Sequence, residues 1–182
     1  ILDLSKAGHQ PMVSASERYV LVYNGEIYNH LSLRKLIGEG FKWAGSSDTE
    51  TLLVCIQELG LDLTLEKIDG MFSFALWDRN CNTITLVRDR MGEKPLYYGF
   101  QKNTFLFGSD LASLRQHPDF LNKISHNSVA LLLKYGYIPA PHSIYSDIFK
   151  LPPGARIQID TLSRKAEVQY YWNFREAVGE HQ

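Results

Sequence analysis

Four apolar runs rich in aromatic residues follow one another between residues 71 and 107, and their spacing constrains the fold more than any other feature. Short polar segments separate the first run from the second and the third from the fourth. Runs of this length between turn-forming residues are typical of strands joined by short connections. We therefore expect an antiparallel meander whose strands occupy residues 71–77, 83–87, 95–100 and 104–107.

Amphipathic helices are interleaved with the predicted strands. Ser47 and Glu50 have the spacing of a capping box, and apolar residues then recur at helical intervals as far as Gly60. A further amphipathic helix is predicted near Asn127, which we expect to be its N-cap. Helices between antiparallel strands favour an α+β layered fold over a parallel sheet of regular βαβ units.

The run at residues 19–23 is dense in β-branched and aromatic residues, which predicts a strand. Asn24 and Gly25 follow it, and an Asn-Gly pair between two β-prone runs is a strong hairpin signal. On spacing alone, a plain type I′ turn is therefore expected at these two residues. A helix with Leu33 on its apolar face comes next and ends at Gly38.

Charge and cysteine content argue against several classes of protein. The 182 residues contain 19 basic and 20 acidic side chains, so the formal net charge of −1 offers no field to attract nucleic acid or an anionic membrane. No apolar run approaches the roughly 20 residues that a membrane-spanning helix requires. Cys55 and Cys81 give no disulfide framework, and the six histidines show no metal-ligand spacing. A cytoplasmic protein without a bound metal is expected.

Four motifs follow one another along the chain, and they read GHQPM at 8–12, YNGEIYN at 23–29, SDTE at 47–50 and DGMFSFA at 69–75. Two more follow, RDRMGEKPLYY at 88–98 and the segment 137–154, which ends in KLPPG. In its order, the first group resembles class II glutamine amidotransferases, and the last two motifs are similar to asparagine synthetases in particular. The resemblance covers almost the whole chain.

The resemblance implies a four-layer αββα sandwich of two antiparallel sheets, the N-terminal nucleophile hydrolase architecture. It implies that residues 1–175 form a glutamine amidotransferase domain lacking its first strands, and that residues 176–182 begin a linker to an absent C-terminal synthetase domain. That domain would use ATP and Mg²⁺, whereas the glutaminase domain needs no cofactor. A homo-oligomer is also expected, because a sheet without its first strands leaves an edge unpaired.

The nucleophile of this family is a cysteine at the mature N-terminus, whose own α-amino group serves as the base, but position 1 here is Ile. A thiol activated in this way must lie at the chain terminus, so neither Cys55 nor Cys81 can replace it. The chain as given is therefore expected to be inactive towards glutamine. The resemblance also places Ile1 and Leu2 among the substrate-binding residues.

The resemblance assigns Asn24 and Gly25 to an oxyanion hole formed by the Asn24 side-chain amide and the Gly25 backbone N–H. Attack on the glutamine amide creates a negative oxygen that needs fixed donors, and a glycine allows the substrate to approach the main chain closely. Asp48 is implied to bind the substrate ammonium through its carboxylate, and Glu26 mainly through its backbone carbonyl. Without the resemblance, Asp48 would be an ordinary first-turn helix acid and Glu26 a solvated turn residue.

The charged segment at residues 88–94 lies between two predicted strands, and alternating charge there is typical of an exposed hairpin tip. The resemblance implies that this segment faces the synthetase domain. Residues 109–112 read Ser-Asp-Leu-Ala, where the family commonly has Ser-Glu and then a lysine two residues later. We expect this departure to leave the glutaminase site untouched while weakening the assignment of the ammonia acceptor.

Three functions remain open from the sequence. The first is a glutaminase domain that supplies ammonia to an ATP-dependent synthetase making asparagine from aspartate. The second is an amidotransferase acting on a sugar acid in surface-polysaccharide biosynthesis. The third is a glutaminase-like module without catalytic activity.

Overall fold

A computed structural model describes residues 3–179 of the chain, and within them nine strands and six α-helices form layers. A single 3₁₀ turn precedes them at Lys6–Gly8. The strands are β1 (Met12–Val13), β2 (Tyr19–Ile27), β3 (Gly70–Asp78), β4 (Thr83–Arg88), β5 (Tyr97–Gln101), β6 (Thr104–Gly108), β7 (Ile148–Lys150), β8 (Ala155–Asp160) and β9 (Ala166–Tyr170). The helices are α1 (His30–Ile37), α2 (Asp48–Leu59), α3 (Leu61–Lys67), α4 (Leu111–Leu114), α5 (His126–Tyr135) and α6 (Phe174–Gly179). None of these helices is long and apolar enough to cross a membrane.

The strands form two antiparallel sheets, which confirms the predicted α+β class. The larger sheet has the order β1-β2-β3-β4-β8-β9, and the smaller has the order β6-β5-β7. Three clusters of buried apolar side chains lie between helix α2 and the larger sheet, between the two sheets, and between the smaller sheet and α4. These clusters separate four layers in the order helix, sheet, sheet, helix, as the resemblance implies.

The predicted meander is wrong in one respect, because its four strands are divided between the two sheets. β3 pairs with β4 in the larger sheet, and β5 pairs with β6 in the smaller sheet. The second neighbour of β4 is β8, and the second neighbour of β5 is β7. Residues 89–96 therefore cross from one sheet to the other instead of making a turn within one sheet.

The crossing segment is held by two buried charged residues, so the expectation of an exposed hairpin tip is also wrong. The Asp89 side chain is 1% exposed, and its carboxylate accepts hydrogen bonds from the backbone N–H groups of Phe72, Met91, Glu93 and Lys94. The Arg88 guanidinium donates to the carbonyl oxygens of Gly92, Lys94 and Leu151 at 2.6–2.7 Å. Burial lowers the pKa of Arg88, and the three carbonyl oxygens replace the water it has lost.

Replacing Asp89 with asparagine is expected to lower the free energy of unfolding by about 2 kcal/mol, because the amide turns an NH₂ group toward backbone donors that the carboxylate satisfied. Urea unfolding of the two proteins measures this difference. The matched control is Asp147→Asn, since Asp147 is exposed and asparagine tolerates its positive φ of 61°. Equal unfolding midpoints for Asp89→Asn and Asp147→Asn would contradict the structural role of Asp89.

Helix α2 begins and ends where the sequence predicts. The Ser47 hydroxyl accepts a hydrogen bond from the Glu50 N–H at 3.1 Å, and Gly60 follows the last helical residue. The Glu50 carboxylate does not complete a capping box, because it accepts from the N–H groups of the preceding loop at Ala44 and Gly45. Helix α5 is capped by Ser125, one residue before the helix, and not by Asn127.

The predicted turn at Asn24 and Gly25 is absent, because β2 continues through both residues to Ile27. Asn24 lies opposite Ser73 of β3, and Gly25 lies opposite Phe72. Gly25 is required by this pairing, because a Cβ atom there would lie 2.6 Å from the Phe72 Cα. The long-range pairing with β3 overrides the local preference of an Asn-Gly pair for a hairpin.

Candidate active site

A cavity of about 460 Å³ lies where the end of β2 meets the start of α2. The residues that line it include Gln10, Asn24, Gly25, Glu26, Asp48 and Lys94. The structure thus brings together the four site residues that the sequence predicted within the described range. Ile1 and Leu2, the other two, lie outside the described residues.

The edge of β2 that faces away from β3 presents backbone donors to this cavity. The Tyr23 N–H donates to Gln10 Oε1 at 2.6 Å, and the Ile27 N–H donates to Asp48 Oδ2 at 2.9 Å. Because N–H groups alternate between the two edges of a strand, the Gly25 N–H points to the same edge as these two. The register with β3 runs without a bulge from Tyr19 to Ile27, so the alternation is unbroken.

The Asn24 side chain supplies a second donor beside the Gly25 N–H. Asn24 is exposed, and its Nδ2 donates one hydrogen bond to the Ser109 hydroxyl at 3.0 Å. A side-chain amide carries two N–H donors, so one remains for a ligand. Two neighbouring donors, one from a side chain and one from the main chain, are the arrangement that stabilises a negative oxygen in acyl transfer.

Asp48 is the buried carboxylate of the cavity, and it is 5% exposed. Its oxygens accept hydrogen bonds from the Tyr23 hydroxyl at 2.8 Å, from the Ile27 N–H at 2.9 Å and from the Thr49 N–H at 3.0 Å. A carboxylate offers about four acceptor positions, so one is left for a ligand cation. Burial, followed by the negative charge of Asp48, raises the pKa of Tyr23, and the Tyr23 hydroxyl therefore remains a donor.

Arg34 of α1 anchors the loop that leads into Asp48. Its guanidinium donates to the carbonyl oxygens of Gly45 and Ser47, both at 2.9 Å, and lies 3.4 Å from the Glu50 carboxylate. The sequence reasoning missed Arg34, Tyr23 and Gln10 as supports of the site. Two of these residues could have been found from the sequence, because Gln10 lies in the motif at 8–12 and Tyr23 lies in the motif at 23–29.

The geometry of Glu26 differs from the expectation. Its side chain is exposed at the cavity, but the alternation that turns the Gly25 N–H toward the cavity turns the Glu26 carbonyl toward β3. The Tyr28 N–H, which has the same parity, donates to Asp69 O on the β3 side. The Glu26 carbonyl therefore points toward β3, and contact between it and a ligand in the cavity is not expected.

The structure places both cysteines away from the cavity lining. Cys55 is buried in α2, and burial raises the pKa of its thiol to about 11. Cys81 is exposed in the turn between β3 and β4. Across residues 3–179, no group of three or more His, Cys, Asp or Glu side chains is arranged to hold a metal ion.

Iodoacetamide is expected to modify Cys81 in the folded protein and to leave Cys55 unmodified. The raised pKa of Cys55 leaves about 100-fold less thiolate at neutral pH than an ordinary cysteine has, and burial blocks access of the reagent. Mass spectrometry after brief labelling measures the two sites separately. Both cysteines should react in denaturant, which is the control. Labelling of Cys55 in the folded protein at the rate of Cys81 would contradict the burial described here.

The fold of the chain is similar to that of solved structures of other proteins. The chain superposes on glutamine phosphoribosylpyrophosphate amidotransferase from Bacillus subtilis with a TM-score of 0.63 and 16% identity, covering 90% of this chain and 32% of that one. It superposes on a glutamine aminotransferase class-II domain protein from Silicibacter pomeroyi with a TM-score of 0.56 and 15% identity. This match covers 91% of this chain and 73% of that one. These similarities establish the fold class.

The family follows from the sequence comparison. The glutamine amidotransferase domain family matches residues 1–172, and the chain belongs to that family. It is 35% identical to a putative asparagine synthetase [glutamine-hydrolyzing] 2 of Methanocaldococcus jannaschii, over 94% of this chain and 36% of the relative. It is 32% identical to asparagine synthetase [glutamine-hydrolyzing] 3 of Bacillus subtilis, over 95% of this chain and 28% of the relative. The chain thus spans about a third of the length of these curated relatives.

Proposed function

We propose that the chain is the glutaminase domain of an ammonia-supplying amidotransferase and that its cavity binds glutamine. The observation that carries the proposal is that Asn24, Gly25 and Asp48 line one cavity. The carboxylate binds the substrate ammonium, with Glu26 as a second acidic group at the rim. The two donors stabilise the oxygen that becomes negative when a nucleophile attacks the side-chain amide.

We also propose that these 182 residues do not hydrolyse glutamine by themselves. Cys55 is buried in a helix with a raised pKa, and Cys81 lies in a turn outside the cavity lining. A thiol that attacks the amide must reach its carbon while the oxygen faces Asn24 and Gly25, and neither cysteine is placed to do so. In this proposal neither Cys55 nor Cys81 is the nucleophile of an active protein.

The proposed acceptor of the ammonia is aspartate, which is converted to asparagine by a synthetase domain of the same polypeptide that uses ATP and Mg²⁺. The support is that relatives at 31–35% identity are named glutamine-hydrolysing asparagine synthetases and are longer than this chain. Residues 1–175 would then be the glutaminase domain, and the connection to the synthetase would start within α6.

The test is to incubate the full-length protein with glutamine labelled with ¹⁵N in the amide, aspartate, ATP and Mg²⁺. We expect labelled asparagine together with glutamate, and the 182-residue chain alone should produce neither product. Glutamate and ammonia without labelled asparagine would support the glutaminase but reject aspartate as the acceptor. A full-length protein that forms no glutamate would contradict the glutaminase proposal.

A further inference from the structure

Ser109 joins the two sheets at the candidate oxyanion hole. It directly follows β6 of the smaller sheet, whereas Asn24 lies in β2 of the larger sheet. The Ser109 hydroxyl accepts a hydrogen bond from Asn24 Nδ2 at 3.0 Å, between residues that are 85 positions apart in the chain. Ser109, the serine that this chain shares with the pattern common in the family, therefore contacts the site, whereas the departure from that pattern lies in the residues that follow it.

The backbone on both sides of Ser109 is fixed. Gly108 pairs with Tyr97 in the smaller sheet, so the residue before Ser109 is held by strand pairing. Asp110 caps α4, because its carboxylate accepts from the N–H of Ser113 at 2.7 Å and from the Ser113 hydroxyl at 2.6 Å. The anchored neighbours fix the backbone at Ser109 and so limit where its hydroxyl can lie, which is what a group that orients another side chain requires.

We propose that Ser109 is a positioning residue that orients the Asn24 amide for glutamine hydrolysis. This inference rests on the proposed function, because it assigns a task to Ser109 in the same reaction. The amide group is planar, so the hydrogen bond from one Nδ2 proton to Ser109 determines the direction of the second proton. The second proton is then directed away from Ser109 and is free to bond the oxygen that becomes negative.

Loss of the Ser109 hydroxyl leaves the terminal torsion of Asn24 free to rotate. The amide can then present its Oδ1 to the developing negative charge, and the interaction changes from attractive to repulsive. The effect falls on the step in which the oxygen becomes negative, so kcat decreases. Binding of the substrate ammonium depends on Asp48, which Ser109 does not contact, and KM is therefore expected to stay close to its original value.

The experiment is a double-mutant cycle in the full-length protein, with kcat and KM measured for glutamine hydrolysis. Ser109→Ala is expected to lower kcat about tenfold, because that is the usual contribution of one hydrogen bond, and to change KM little. Ser109→Thr keeps the hydroxyl and should restore kcat to within about threefold of the original. Adding Ser109→Ala to Asn24→Ala should cost nothing further, because Ser109 acts through Asn24. Ser32→Ala, at an exposed position of α1, is the matched control.

Two outcomes would overturn the inference while leaving the proposed function intact. One is a normal kcat in Ser109→Ala when Asn24→Ala is severely impaired. The other is a decrease in kcat from Ser109→Ala that adds to the decrease from Asn24→Ala and is accompanied by a lower melting temperature. That pattern would indicate a structural role for Ser109. If Asn24→Ala itself hydrolyses glutamine at the normal rate, the proposed oxyanion hole fails, and this result is distinguishable from either of the first two.

Discussion

Asn24→Ala is expected to lower kcat for glutamine hydrolysis by roughly 100- to 1000-fold in the full-length protein, which is the usual cost of removing one oxyanion donor. Asn24 lines the cavity and is exposed, so truncation of its side chain removes a donor without opening the hydrophobic core. KM should change little, because the lost interaction forms mainly in the transition state. Steady-state kinetics with a coupled glutamate assay measures both constants.

The matched control for this variant is Asn127→Ala, on the exposed surface of α5, which should keep the original kcat. Equal melting temperatures for the two variants would show that the fold is intact in both. A kcat in Asn24→Ala within a factor of two of the control would remove the case for an oxyanion hole at this position.

Asp48→Asn is expected to raise KM for glutamine by roughly 100-fold, because a neutral amide replaces the charged acceptor of the substrate ammonium. Asparagine keeps one oxygen for the Tyr23 hydroxyl and the Ile27 N–H, so it disturbs the start of α2 less than alanine would. Initial rates over a wide range of glutamine concentrations separate this increase from any change in kcat.

Asp147→Asn removes the same charge at an exposed position and should leave KM unchanged. Circular dichroism of both variants checks that the helices are retained. If Asp48→Asn binds glutamine as tightly as Asp147→Asn, Asp48 is an ordinary helix-start acid, which is the alternative that the sequence left open.

Local chemistry explains which parts of the fold could be predicted from the sequence. The start of α2 was predictable because an N-cap hydrogen bond joins residues three positions apart, and the Ser47 hydroxyl meets the Glu50 N–H as the spacing requires. Most strands were predictable because their apolar runs are long and bounded by turn residues. The resemblance then supplied the four-layer architecture, which the three apolar clusters match.

Apart from the N-cap of α5, which is Ser125 and not Asn127, the main errors involve contacts between residues that are distant in sequence. Asn24 and Gly25 have the local preference of a turn, but pairing with β3 extends them as a strand. Asp89 has the local pattern of a surface charge, but its carboxylate also accepts from the N–H of Phe72, 17 positions away, besides those of Met91, Glu93 and Lys94. Likewise, the contact between Asn24 and Ser109 depends on how the two sheets stack, which no local pattern reveals.

The most direct test of the proposed site is a crystal structure of the full-length protein with bound L-glutamate, the product of the proposed reaction. The proposal predicts the glutamate ammonium at about 3 Å from the Asp48 carboxylate, and a side-chain oxygen at about 3 Å from both Asn24 Nδ2 and the Gly25 nitrogen. Glutamate bound elsewhere, or bound in the cavity without contact to Asp48 and Gly25, would contradict it.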